Sequence, residues 1–99
     1  MNQNLHDWTL VSITTSWKAG EIEFVFNDRQ SHVVKGFAYD FTEMKIPKLQ
    51  PWGKSVSINS LEITVDHDSH KKIKLEMQSG DVIEVTAKNI EINTQFFTN

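Results

Sequence analysis

Three stretches of the chain concentrate residue types that could do chemistry. The first is Asp66-His67-Asp68-Ser69-His70. In extended backbone successive side chains alternate, so Asp66, Asp68 and His70 point to one side. Two carboxylates and an imidazole suit a divalent cation such as zinc or manganese. The same residues also make a solvated hairpin tip, in which Asp and His stabilise the turn by local hydrogen bonds. The second stretch is His6-Asp7-Trp8, where a carboxylate beside an imidazole could orient a general base. No nucleophile is indicated with it, and Leu5 and Trp8 read equally as packing that ties down the N-terminal segment. The third is the connection 42–54, which gathers Lys45, Lys48 and Lys54 with Trp52 and the two prolines Pro47 and Pro51. Long connections in compact domains often carry function, and Trp is enriched at binding hot spots. Trp52, Lys48 and Lys54 are therefore the candidate binding residues. The competing reading is a strap in which Trp52, Leu49 and Ile46 close the end of the core. No nucleophile elbow, phosphate-cradling glycine loop or spaced zinc-ligand set occurs. No catalytic residue is assigned and no cofactor is expected.

The elements that must position these residues are strands. Apolar β-branched and aromatic residues alternate with polar ones, and short polar clusters interrupt them; helical periodicity is weak throughout. The first hairpin joins Thr9–Trp17 to Glu21–Asn27. A tip at Ala19-Gly20 puts Trp17 opposite Ile22, Thr15 opposite Phe24 and Ile13 opposite Phe26, with Lys18 facing Glu21. A four-residue loop Lys18–Glu21 with Gly20 left-handed keeps Trp17 opposite Ile22. Val11, Ile13, Trp17, Ile22, Phe24 and Phe26 then share one face. A third strand, Val33–Phe41, carries Val33, Phe37, Tyr39 and Phe41 in alternating phase, and its Gly36 suggests a bulge or a close backbone approach. Pro47 and Pro51 exclude a central strand from the irregular connection that follows, apart from a short edge strand at Glu43–Ile46.

The C-terminal half reads as a meander. A bulge near Asn59-Ser60 reconciles the phase of Val56 and Ile58 with that of Leu61, Ile63 and Val65. A three-residue loop His67-Asp68-Ser69 sets Ile63 against Ile73 and Glu62 against Lys74. A second loop, Gln78-Ser79-Gly80, sets Leu75 against Ile83, Ile73 against Val85 and Lys74 against Glu84. Pairing Met77 with Ile83 instead would oppose Glu76 to Glu84, two like charges. A last strand spans Asn89–Asn93, and Phe96-Phe97 caps the core or frays. The expected architecture is all-β: six to seven antiparallel strands in a hairpin-connected meander, closed as a sandwich or a flattened barrel.

The 99-residue length argues for a single domain over 1–99, with residues 1–7 and 94–99 as tails. Thirteen acidic residues against ten basic ones leave a net charge of -3, which makes nucleic acid a poor partner. Without cysteine there is no disulfide, thiol nucleophile or Cys zinc site, in keeping with a reducing cytoplasm. No basic and apolar leader is present and no apolar run reaches the roughly 20 residues that span a bilayer, so a membrane is not an expected partner.

Leu5-His6-Asp7 with its following strand, Pro51-Trp52-Gly53 with Ser55 to Asn59, and Glu76-Met77-Gln78-Ser79-Gly80-Asp81 together resemble small uncharacterised bacterial all-β proteins over residues 5–92. The His-Asp opening is similar to that of some immunity proteins of toxin systems. The resemblance implies binding to a protein partner and no assigned activity. Three functions are expected in order: a cytoplasmic protein-binding or accessory module without catalysis, a small-ligand or metal-binding domain, and a subunit of a homo-oligomer pairing through an edge strand.

Overall fold

Short β-branched and aromatic segments bounded by polar turns form strands, and the described residues contain no helix. The computed structural model describes residues 2–3, 5–48, 56–66 and 68–92. β1 is Asn2–Gln3, β2 Thr9–Ser16, β3 Glu21–Asn27, β4 Val33–Lys45, β5 Ile58–Val65, β6 Lys71–Met77 and β7 Val82–Ile92. All join one antiparallel sheet in the order β1-β5-β6-β7-β4-β3-β2. Two meanders, β2-β3-β4 and β5-β6-β7, meet along the long strands β4 and β7. Between a sandwich and a barrel, the structure has a single sheet that curls towards a barrel and is not closed. No helix among the described residues is long and apolar enough to cross a membrane.

The β5-β6-β7 meander has the expected registers. Ile63 pairs with Ile73, Glu62 with Lys74, Leu75 with Ile83 and Lys74 with Glu84. The β5 register shifts between Ile58 and Ser60, where Asn59 Nδ2 donates to Glu76 Oε1 at 2.6 Å. Lys45 opposite Glu84 extends the outer charge row to Lys45-Glu84-Lys74-Glu62 across four strands. Each exposed pair is worth only about 0.2–1 kcal/mol, enough to select a register.

The first hairpin differs from expectation by two residues. Its loop is Trp17–Gly20, closed by Ser16 opposite Glu21, so Ile13 pairs with Phe24 and Thr15 with Ile22. Gly20 takes the left-handed conformation (φ 69°), which spares Ala19. Trp17 thus leaves the strand; it lies 85% exposed with its ring edge-to-face on Phe41 at 5.9 Å. A bulge between Leu10 and Ser12 turns Val11 outwards.

β4 corrects a phase. Val34, Gly36 and Ala38 face the core, opposite Phe26, Phe24 and Ile22. Two stacked phenyl rings on β3 fill that layer, their centroids 6.0 Å apart, and the facing strand must supply small side chains. Phe37 and Tyr39 stack instead on the outer face at 6.0 Å. Desolvation raises the Tyr39 phenol above its usual range, and Glu91 and Glu21 push it the same way. Asp40 (φ 54°) and the register shift between Phe41 and Glu43 return Phe41 to the core side. Residues 42–45 continue β4 and so are no separate edge strand, and Asn89–Ile92 is the end of β7 rather than a further strand.

The core is Trp8 and Leu5 against Phe26, Phe24 and Ile22 from one meander and Ile58, Leu61, Ile73, Leu75, Ile83 and Val85 from the other. Trp8 packs edge-on to Phe26 at 6.2 Å. The opening segment joins the fold: Asn2 and Gln3 pair with Glu62 and Leu61, and Leu5 is buried.

Candidate functional site

Among the described residues the two ends of the curled sheet meet at one bridge, without closing it. Leu10 N–H donates to Val56 O at 3.0 Å, Ile58 N–H to Trp8 O at 2.8 Å and Asp7 N–H to Ile58 O at 2.9 Å, around a bridge between Thr9 and Ser57. The bulge at Leu10–Ser12 then turns β2 away. Beyond it lies a groove of about 210 Å³. Val11, Ile13, Ile46, Val56, Met77 and Ile83 line it. Lys48, Ser79 and Asp81 add polar groups; Asp81 is buried and accepts a hydrogen bond from Ser79 Oγ at 3.1 Å.

The rim gathers exposed apolar side chains. Val11, Ile46 and Val56 of its lining are exposed, and so is Met44, whose Sδ accepts a hydrogen bond from Thr15 Oγ1 at 3.6 Å. Trp17 follows the end of β2, the strand whose Leu10–Ile13 stretch lines the groove. Contiguous exposed apolar surface marks interaction sites, whereas scattered residues do not.

Lys48 of the expected binding set lies exposed on this rim. Trp52 and Lys54 fall in 49–55, outside the described residues, on the stretch that joins Lys48 to Val56. The groove residues on β2 and on the β6-β7 hairpin were not singled out from the sequence, because nothing local brings those elements together.

The Asp66–His70 stretch forms a hairpin loop; His67 lies outside the described residues. Asp66 Oδ1 accepts the backbone N–H groups of Asp68 at 2.9 Å and His70 at 3.0 Å. Asp66 N–H donates to His70 O, Ser69 N–H donates to Asp66 O, and Ser69 is left-handed (φ 64°). The β3-β4 loop repeats this arrangement in Asp28-Arg29-Gln30-Ser31-His32. There Asp28 Oδ1 accepts from Gln30 and His32, and Ser31 has φ 65°. Asp-x-x-Ser-His is thus a turn motif used twice, legible in the sequence as a repeated spacing. Among the described residues no three His, Asp or Glu side chains are grouped so as to hold a metal ion.

His6 and Asp7 are engaged in the fold. His6 Nδ1 lies 3.2 Å from Asp7 Oδ2, Arg29 Nε donates to His6 O at 3.0 Å, and Gln78 Nε2 donates to Asp7 Oδ1 at 2.7 Å. The Gln78 bond outweighs desolvation and, with His6 and Arg29, holds the Asp7 carboxyl below its usual range. At Asp28 desolvation pushes upward, but the His32 and Gln30 backbone bonds and the His32 ring bring the net shift below it. Both folded values are lowered, so the unfolded chain takes up protons first as the pH falls. This stabilisation is full above the unfolded carboxylate value and fades as the pH drops below about 4. The double substitution Asp7→Asn and Asp28→Asn is expected to flatten the acid limb of melting temperature against pH between about 5 and 2. An unchanged acid limb would place the lowered carboxyls elsewhere.

No protein-family model matches the chain, and no curated protein matches its sequence. Among solved structures the chain is similar to an uncharacterized protein from Neisseria gonorrhoeae, with a TM-score of 0.73 and 14% identity over 93% of this chain and 96% of that one. At that identity the likeness is one of fold. It agrees with the resemblance to small uncharacterised bacterial all-β proteins.

Proposed function

We propose that the protein is a small protein-binding module without catalytic activity, which takes an apolar segment of a partner protein into the groove beside β2. The observation that carries this reading is the set of exposed apolar residues lining that groove, Val11, Ile46 and Val56. The volume of about 210 Å³ favours inserted side chains over a free metabolite, since small-molecule sites usually run to about 300–1,000 Å³. Lys48, Trp52 and Lys54 belong to the same reading by their place in the chain. The immunity-protein likeness supports it only as an example of a small binding protein, because Leu5, His6 and Asp7 are themselves engaged in the fold.

Photo-crosslinking residues placed singly at Ile46, Val56 and Val65 test this. Val65 is an exposed apolar residue at the far end of β5. The expected result is one partner captured from positions 46 and 56 but not from 65, with Ile46→Asp weakening its binding about 30-fold or more, as loss of a hot spot of ~2 kcal/mol does. Equal capture from all three positions, or none from the rim, would overturn the assignment.

A further inference from the structure

The two edges of the sheet are treated differently. The β5 edge is covered by the chain itself, by β1 at Leu61 and Glu62 and by the Asp7–Leu10 segment at Val56–Ile58. The β2 edge is held only as far as Leu10. From Ser12 to Ser16 its backbone pairs with β3 on one side and, among the described residues, has no strand partner on the other. Natural sheets blunt such edges with lysine, proline or inward-pointing charge. Here the reverse holds. Among the described residues β2 is the one strand longer than two residues that has no charged side chain; each of β3 to β7 carries at least one. Thr9 to Trp17 is an uncharged run in a chain of net charge -3.

We infer that the β2 edge pairs with the same edge of a second copy, antiparallel about a two-fold axis at Thr14. A neutral strand meets its own copy without like charges opposed, although the chains as wholes repel. The bulge at Leu10–Ser12 limits the regular run to Ser12–Ser16, whose centre is Thr14. Centring there opposes Ser12 to Ser16 of the second copy and Ile13 to Thr15, and keeps the core-side residues of both copies on one face of a continuous sheet. With the opposite edge covered, pairing of like edges closes as a dimer instead of propagating as a filament. This inference uses the edge of β2 and does not depend on occupation of the groove.

Charge swapping at Thr14 tests it. Thr14 is exposed on a strand surface and not packed in the core, so its substitution leaves the fold intact, which a thermal melt checks. The wild-type protein should pass from its 11.4 kDa monomer to a dimer in sedimentation equilibrium between roughly 10 μM and 1 mM, the weak range expected of a small interface. Thr14→Lys and Thr14→Glu should each weaken self-association at least tenfold, because each sets a charge opposite itself across the axis. An equimolar mixture of the two should recover a dimer. Wild-type protein that stays monomeric throughout, a dimer indifferent to Thr14→Lys, or a mixture that fails to recover would each overturn the pairing. Failure here with the groove crosslinks intact removes the dimer and leaves the binding module.

Discussion

Phe26→Ala is expected to lower the melting temperature by roughly 15–30 °C, while Trp17→Ala changes it by no more than a few degrees. Phe26 is fully buried, stacks on Phe24 and receives the edge of Trp8. Truncation removes a phenyl ring from a junction of three aromatic side chains that cannot collapse together, and such changes cost about 3–5 kcal/mol. For a domain of this size, where each kcal/mol moves the midpoint by about 4–8 °C, that is a large share of the total stability. Trp17 has a comparable ring but is 85% exposed on a hairpin tip. Its edge contact with Phe41 is worth about 0.5–1 kcal/mol. Thermal melts followed by circular dichroism separate the two outcomes. Equal destabilisation by both changes would mean that Trp17 faces Ile22 inside the core, two residues out of the described register.

A graded series at Gly36 is expected to give the second-largest effect. A methyl group at Gly36 would sit 3.4 Å from Phe26 Cε2 and 3.5 Å from Ile92 Cγ1, ordinary contact distances, so Gly36→Ala should cost less than about 1 kcal/mol. Gly36→Val adds two branched carbons where ring, side chain and the Glu91 carbonyl already close the space. Overpacking of this kind costs about 1–3 kcal/mol, equivalent to a fall of roughly 5–20 °C. If valine proves as mild as alanine, β4 does not press its Val34-Gly36-Ala38 face against the phenyl rings, and its phase is reversed.

These two tests bear on the places where reading the chain and folding it diverge. The β2-β3 register slid by two residues. A two-residue slip keeps every side chain on its own face, so periodicity cannot detect it. Charge usually breaks such a tie, as the Glu76–Glu84 conflict does for β6 and β7, but β2 has no charge to oppose. The β4 phase failed for a different reason. Phe37 and Tyr39 are the more hydrophobic alternation, yet the layer opposite was already filled by Phe24 and Phe26. Volume complementarity between strands is a property of the pair and is invisible in either strand alone. The Asp-x-x-Ser-His turn is written twice in the chain, at 28–32 and 66–70, and each copy is set by bonds within its own loop.

By itself the sequence determined the all-β class, the β5-β6-β7 registers, the bulge at Asn59-Ser60 and the left-handed Gly20. Each depends on neighbours within a hairpin: turn chemistry, alternation, and charges directly opposite. Tertiary structure alone decided that the sheet curls without closing, that a groove opens where β2 turns away from Val56, and that β2 past Leu10 has β3 as its one strand partner among the described residues. Those features arise where segments about 45 residues apart, around Leu10 and Val56, meet and then part. No local rule of pairing reaches across that separation, because the meeting is set by how the whole core packs.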